Sequence, residues 1–346
     1  MAEYFDISDW NEKPWFTTKG SRDKSVVENP QDGKLCYFKT SLIKPGKDYR
    51  YEFWSEILAS EIGQLLKLNI LRYDVAYHKT EMGCISGFMN TEGESELTEG
   101  IQYLTGYSTA YKPTRKESKT EYTFQFICNA LKSFDFGKYV NEIIKIIIFD
   151  SLIGNGDRHQ ENWGIITYNK EAISFYKKES KNLSYKFFIR TLLSATGWVF
   201  ENFPKFSSRM KIKLHSLMPN RFAPIYDSGS CLGRELLEER VQQLLKDDKQ
   251  LLLYIEKGTS EIHWEGKKLS HFDLIKNIAI QYKTEVETEI KRIKGLYNDS
   301  EVTRIVMDID KNLPDDKKQY GLPLNRKELI IKMINLRYKE LIKLLD

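Results

Sequence analysis

Apolar positions fall into short, strand-like runs in the first quarter of the chain and into longer helical patterns afterwards. Leu35, Cys36, Tyr37 and Phe38, closed by Lys39, predict a buried strand over residues 35–39. Trp54, Ile57, Leu58, Ile62 and Leu65 recur at helical spacing and predict a helix over about 50–66. Strand signals at 71–78 and 84–89 complete a small mixed sheet carrying one helix. Residues 1–34 read as polar and turn-rich.

The acidic run Thr91-Glu92-Gly93-Glu94-Ser95-Glu96 has no periodicity, and the boundary between two lobes is expected there, dividing 1–92 from 93–346. Over 138–152 the pattern is apolar nearly all round, as for a helix buried in a larger core. It stops at Gly154-Asn155-Gly156, whose glycines permit a sharp turn. A strand is expected at 163–168 and another at 222–226. The 169–220 segment between them, rich in Lys and aromatics, reads as an insertion with an amphipathic patch at 188–199. Helices are expected at 235–256, 272–293 and 327–345. The fold class is therefore α+β, with a small sheet-bearing part and a larger, mostly helical one.

Composition narrows the setting. An apolar share of 41% and a charged share of 29% over 346 residues are those of a soluble globular chain with one large two-lobed domain or two ordinary ones. A net charge of +4 does not demand nucleic acid. The lysines of the insertion, among them Lys177, Lys178, Lys181 and Lys186, read as a solvated surface, so direct nucleic-acid binding is not expected. Cys36, Cys84, Cys128 and Cys231 lie far apart without a C-x-x-C pair, which fits a reducing compartment. With no secretory pattern at the start, and a longest apolar run (143–149) too short to span a bilayer, the expected location is cytoplasmic.

The chemistry concentrates in Asp157-Arg158-His159-Gln160-Glu161-Asn162 and in a distant Asp227-Ser228-Gly229. Phosphoryl transfer needs a base for the accepting hydroxyl and oxygen donors for Mg²⁺. Asp157 suits the first role; Asn162 and Asp227 suit the second. His159 stands two positions after the base, where it could meet the transferring group or lock the loop. Lys39, at the end of an apolar strand, can set an ammonium against phosphate oxygens, held by Glu52 or Glu56 on the next helix. Thr17-Thr18-Lys19-Gly20-Ser21 is a candidate phosphate-covering loop, although it lacks G-x-G-x-x-G. His78, His215, His263 and His271 have no ligand spacing to one another.

These residues resemble the HipA-like serine/threonine kinases, in the compact CtkA-like subgroup. Leu152-Ile153-Gly154-Asn155-Gly156-Asp157-Arg158-His159 with Asn162-Trp163-Gly164 resembles the family's catalytic loop, and Ala223-Pro224-Ile225-Tyr226-Asp227-Ser228-Gly229-Ser230 its metal-binding segment. The resemblance runs from about Lys34 to Gly233, with echoes such as Leu336-Arg337-Tyr338 further on. It implies a protein-kinase-like two-lobed fold and use of ATP and Mg²⁺. Asp157 becomes catalytic base, Asn162 and Asp227 metal ligands, Lys39 the phosphate lysine and Glu52 its helix partner. It also implies an adenine-facing hinge at Ser86, Gly87, Phe88 and Met89, and autophosphorylation with Ser21 as the nearest match, ahead of Thr18 and Ser25. The implied partners are a protein substrate and a small HipB-like antitoxin or repressor. The long 169–220 segment departs from the family pattern. Two other functions are compatible with the same residues: a phosphoinositide or small-molecule kinase, because such enzymes share a G-D-R-H-x-x-N loop, and a nucleotide-binding scaffold without transfer.

Overall fold

The computed structural model describes residues 1–15, 24–90, 94–115, 118–168 and 204–346. Its first part is a curled six-stranded sheet of β1 (Tyr4–Asp6), β2 (Asn11–Glu12), β3 (Lys24–Glu28), β4 (Leu35–Thr40), β7 (Asp74–His78) and β8 (Glu81–Gly87). A small hairpin, β5 (Ile43–Lys44) and β6 (Lys47–Asp48), stands beside it. The strand order is β1-β7-β8-β4-β3-β2, with only the β1–β7 pair parallel. Three of these strands fall in the stretch expected to be turn-rich. They are short, and β3 betrayed itself only through the adjacent buried pair Val26 and Val27.

Alternation sorts the sheet's side chains. Lys24, Lys39, Cys84 and Val75 are direct cross-strand neighbours and so share a face, and Val75 and Cys84 belong to the main core. Phe38, Ile85, Ala76 and Val27 form a separate cluster with Ile7. Helix α1 (Glu52–Leu65) packs on β8 and contributes Trp54, Ile57, Leu58 and Ile62 to the same core as Val75 and Cys84. The register thereby turns Lys39 towards α1.

The second part holds a three-stranded antiparallel sheet, β9 (Ser95–Glu99), β10 (Gly164–Tyr168) and β11 (Asn220–Phe222), in the order β11-β10-β9. The expected strand at 222–226 is shifted, because Pro224 offers no amide for a ladder. Ile225 instead bridges to Ile70 in the first part. Helices α2 (Gly100–Tyr107), α3 (Ser118–Glu121), α4 (Phe124–Ser133), α5 (Val140–Ile153) and α6 (Pro204–Ser216) belong here, α6 lying within the expected insertion. The amphipathic patch at 188–199 lies outside the described residues. The expected helix 235–256 is two, α7 (Glu238–Lys246) and α8 (Asp248–Glu256), because Asp247 turns its carboxylate back to cap the second at Lys249 N and Gln250 N. That at 272–293 is likewise two, α9 (His271–Gln281) and α10 (Lys283–Leu296), parted at Tyr282 with its non-helical backbone. Helices α11 (Asp299–Met307) and α12 (Leu324–Ile342) complete the chain, α11 being capped by the Asn298 side chain. Among the described residues no helix is long and apolar enough to cross a membrane.

Helix α5 is the axis of the helical part, packed by α9, α10 and α12. It ends at Gly154, φ 70°, the left-handed stop anticipated from the glycines, whereas Gly156 does not adopt it. Arg337 of α12, fully buried, donates to Ser151 O at 3.1 Å and so satisfies a carbonyl of the helix end. A Cβ at Gly154 would stand 2.8 Å from the Arg337 guanidinium carbon.

Gly154→Ala is expected to lower stability by about 2–4 kcal/mol, the sum of left-handed strain and displacement of a buried arginine, measurable as a reduced denaturant midpoint. His271, at the start of α9, offers a pH test. Burial first, and the Arg337 charge second, push its imidazole down to about 3 from 6.5. The folded chain then binds fewer protons than the unfolded chain between those values. Stability should fall on acidification below pH 6.5, by about 1.4 kcal/mol per pH unit from this group. Comparing the denaturant midpoints of His271→Gln and the parent at pH 7 and pH 5 should show the variant losing less.

Candidate active site

Asp150 is the one acidic side chain buried on the last turns of the apolar helix α5. A carboxylate in such surroundings requires a partner. Arg158, eight residues later and equally buried, supplies it with a bidentate pair: Nη2 to Oδ1 at 2.8 Å and Nε to Oδ2 at 3.0 Å. The remaining donors of the guanidinium reach the two chemical segments. Nη1 donates to Asn162 O at 3.0 Å and to Tyr226 O at 2.5 Å, and Nη2 to Ser228 Oγ at 2.9 Å. Burial opposes the Arg158 charge, but the adjacent Asp150 carboxylate more than offsets it, so the pKa rises. One side chain thus fastens the loop 155–162 to the segment around Asp227.

Within that frame Asp157 is partly exposed, with its amide on Asn155 Oδ1 at 3.2 Å and its Oδ2 accepting from Ser230 Oγ at 3.2 Å. The Asn162 amide nitrogen donates to Asp157 O at 2.9 Å, which leaves its Oδ1 as the group available to a cation. His159 folds back on its own loop, its Nδ1 accepting from Glu161 N at 3.3 Å. Further packing comes from Tyr226, whose hydroxyl donates to Glu161 O at 2.8 Å, and from Tyr122, which donates to Arg158 O at 3.1 Å while accepting from Trp163 Nε1.

Asp227 adopts φ 54°, a left-handed conformation that Asp tolerates better than most side chains. Lys39 Nζ lies 2.8 Å from its Oδ1. On the other side of the lysine, Glu56 Oε2 is at 3.5 Å, and Glu56 Oε1 accepts from Ser228 N at 2.9 Å. Glu52 is placed differently: Oε2 accepts from Leu42 N at 3.1 Å and Oε1 pairs with Arg234. The helix carboxylate set against Lys39 is therefore Glu56, one of the two the sequence left open, and not Glu52, which the family resemblance implied. Residues four apart share one helix face, so only the packing of α1 separates the two.

Ser86 sits opposite Tyr37 in the β4–β8 ladder. Beyond Gly87, the Phe88 ring stacks on Tyr37 with centroids 4.0 Å apart, and Phe88 N donates to Leu35 O. Met89 packs on the cluster of Ile166, Ala223 and Tyr226, so the expected hinge joins the sheet to the elements beneath Asp227. Ser21, with Thr17 and Thr18, lies outside the described residues, as do residues 169–203; Ser25 lies on β3. Sequence reasoning missed the roles of Asp150, Arg158 and Ser230. A lone Asp after the apolar run Ile146–Phe149 was the available signal for the first.

No family model matches the sequence, and no curated protein matches it. Among solved structures, the proinflammatory kinase CtkA of Helicobacter pylori is similar to it with a TM-score of 0.71 at 17% identity, over 99% of this chain and 96% of that one. The chain thus has the fold of CtkA. HipA of Shewanella oneidensis MR-1, solved with HipB and its operator DNA, aligns with a TM-score of 0.47 at 9% identity, over 97% of this chain and 67% of that one.

Removing one partner of the central pair should leave a buried uncompensated charge or an empty acceptor shell. Arg158→Met and Asp150→Asn are each expected to cost about 3–5 kcal/mol in chemical unfolding, and a Asp150→Leu/Arg158→Met double variant less than their sum.

Proposed function

We propose that this chain is an ATP- and Mg²⁺-dependent kinase that phosphorylates serine or threonine on a protein, and that it phosphorylates itself. The observation that carries the reading is the convergence of Lys39, Glu56 and Asp227 with a loop presenting Asp157 and Asn162, although the five come from four stretches of chain. In this reading 1–92 covers the nucleotide and 93–346 carries the catalytic loop.

The donor set fits Mg²⁺: a carboxylate and a neutral amide oxygen are hard ligands, and this ion is usually held by one or two protein groups plus phosphate oxygens. Asp227 and Asn162 would hold it, and there it would supply neutralising charge to the transferring phosphoryl group. Lys39 binds phosphate oxygens as a point charge, kept in place by Glu56. Asp157 takes the proton of the attacking hydroxyl at a carboxylate oxygen, and its Ser230 contact fixes which oxygen is turned outward. Tyr37 and Phe88 offer an aromatic surface beside the hinge for the adenine ring. Catalysis is then chiefly positioning and charge stabilisation.

Incubation with γ-labelled ATP and lysate, followed by phosphosite mapping, tests the reading. Labelled Ser or Thr on protein is expected, with Ser21 the first site to inspect on the chain itself. Asp157→Asn should reduce transfer by about 10²–10⁴-fold while leaving the unfolding midpoint near that of the parent. Undiminished activity in that variant, or label confined to lipid extracts, would overturn the assignment.

A further inference from the structure

A second cavity, of about 460 Å³, lies away from Lys39, Asp157, Asn162 and Asp227, none of which lines it. Four cationic residues line it from separate places: Lys67 just after α1, Lys145 on α5, Arg292 on α10, and Arg221 on β11, whose guanidinium lies over the Tyr168 ring, 5.8 Å from its centroid. Only one carboxylate lines it, Glu142, which Lys145 engages at 2.7 Å. Arg292 is held by Glu289 and also donates to Leu66 O. Among the described residues, Lys67 and Arg221 have no carboxylate partner, so the cavity carries uncompensated positive charge.

Two further features shape the site. Lys67 adopts φ 53° at the left-handed stop of α1, where its amide donates to Gln64 O and Leu68 N to Gly63 O. Glycine is the usual residue there, so the lysine stands at the turn that leads to Asn69 and Ile70. The rings of Tyr139 and Phe222, 5.6 Å apart, add an aromatic wall to the cationic rim. Cations gathered from four elements into a concave space of small-molecule size suit a compact anion, unlike the extended stripe that follows a nucleic-acid backbone.

We propose that this cavity binds a small phosphate-bearing anion up to nucleotide size, and that the ligand braces the segment leading to Asp227. Ile225 lines the cavity and is held by its amide on Asn69 O at 2.8 Å and by its carbonyl on Leu71 N at 2.9 Å. A ligand spanning Lys67 and Arg221 grips both sides of that junction, two residues before the Asp227 carboxylate.

The test is calorimetric titration of inorganic pyrophosphate and, separately, adenosine 5′-monophosphate into the full chain carrying Lys39→Ala, which weakens phosphate binding at the catalytic cleft. Either probe is expected to bind at one site. Lys67→Asn, which keeps a residue tolerant of the left-handed backbone, and Arg221→Gln should each weaken it about tenfold. Lys283→Gln, on an exposed helix start, should not. Binding of the monophosphate alone makes the ligand a nucleotide, and binding of pyrophosphate makes it the bare phosphate group. No binding of either probe, or equal weakening by Lys283→Gln, overturns the site. Binding that leaves amide exchange at Ile225 unchanged overturns the brace.

Discussion

The buried Asp150–Arg158 pair is the constraint on which the site depends. Asp150 is the one buried charge on a helix whose other inward residues are apolar but for Ser151, so that charge is tolerated only because the guanidinium meets both of its oxygens. That obligation fixes Arg158, and Arg158 in turn has three donor contacts left, on Asn162 O, Tyr226 O and Ser228 Oγ. Two segments nearly 70 residues apart in the chain are thereby held to one another through a single side chain. Fixed positioning of this kind is what the proposed phosphoryl transfer would ask of the protein.

The connection to the sheet is electrostatic as well as apolar. Glu56 reaches Lys39 with one oxygen and the Ser228 amide with the other, so α1 joins β4 directly to the segment beyond Asp227. Lys39 completes the loop by meeting Asp227. The chain after β8 adds a second joint, through Met89 on Ile166, Ala223 and Tyr226, and the Ile70–Ile225 bridge a third. The left-handed Asp227 lies at the meeting point of all three, which is where local backbone strain is most easily sustained by the surroundings. The groups beside it are accordingly deeply buried: burial, with Glu56 nearby, drives the Tyr73 hydroxyl well above its ordinary pKa, so it stays neutral as it accepts from Asp227 N at 3.4 Å.

Much of this was legible along the chain. Strand β4 with its terminal lysine, α1, the apolar α5 and the Gly154 stop could each be read from local patterns, because burial periodicity and glycine conformation are properties of neighbouring residues. Asp157, Asn162 and Asp227 stood out by residue type and spacing. The breaks at Asp247 and Tyr282 escaped because helical periodicity continued across them, and a cap or a bent backbone shows only in dihedral angles. Strands β1 to β3 escaped because a run of two to five residues carries too little alternation to rise above a polar surrounding.

By itself, then, the sequence determined the α+β class, the elements long enough to show a period, and the chemical types of the groups suited to phosphate and metal. Tertiary structure decided which of those groups meet. The choice of Glu56 over Glu52 depends on how far α1 is rotated on the sheet, and four-residue spacing cannot reveal a rotation. The role of Arg158 depends on a carboxylate eight residues back and on carbonyls far along the chain. Long-range pairing of this sort has no local signature, since charge and hydrogen-bond partners are matched in space and not in order along the chain.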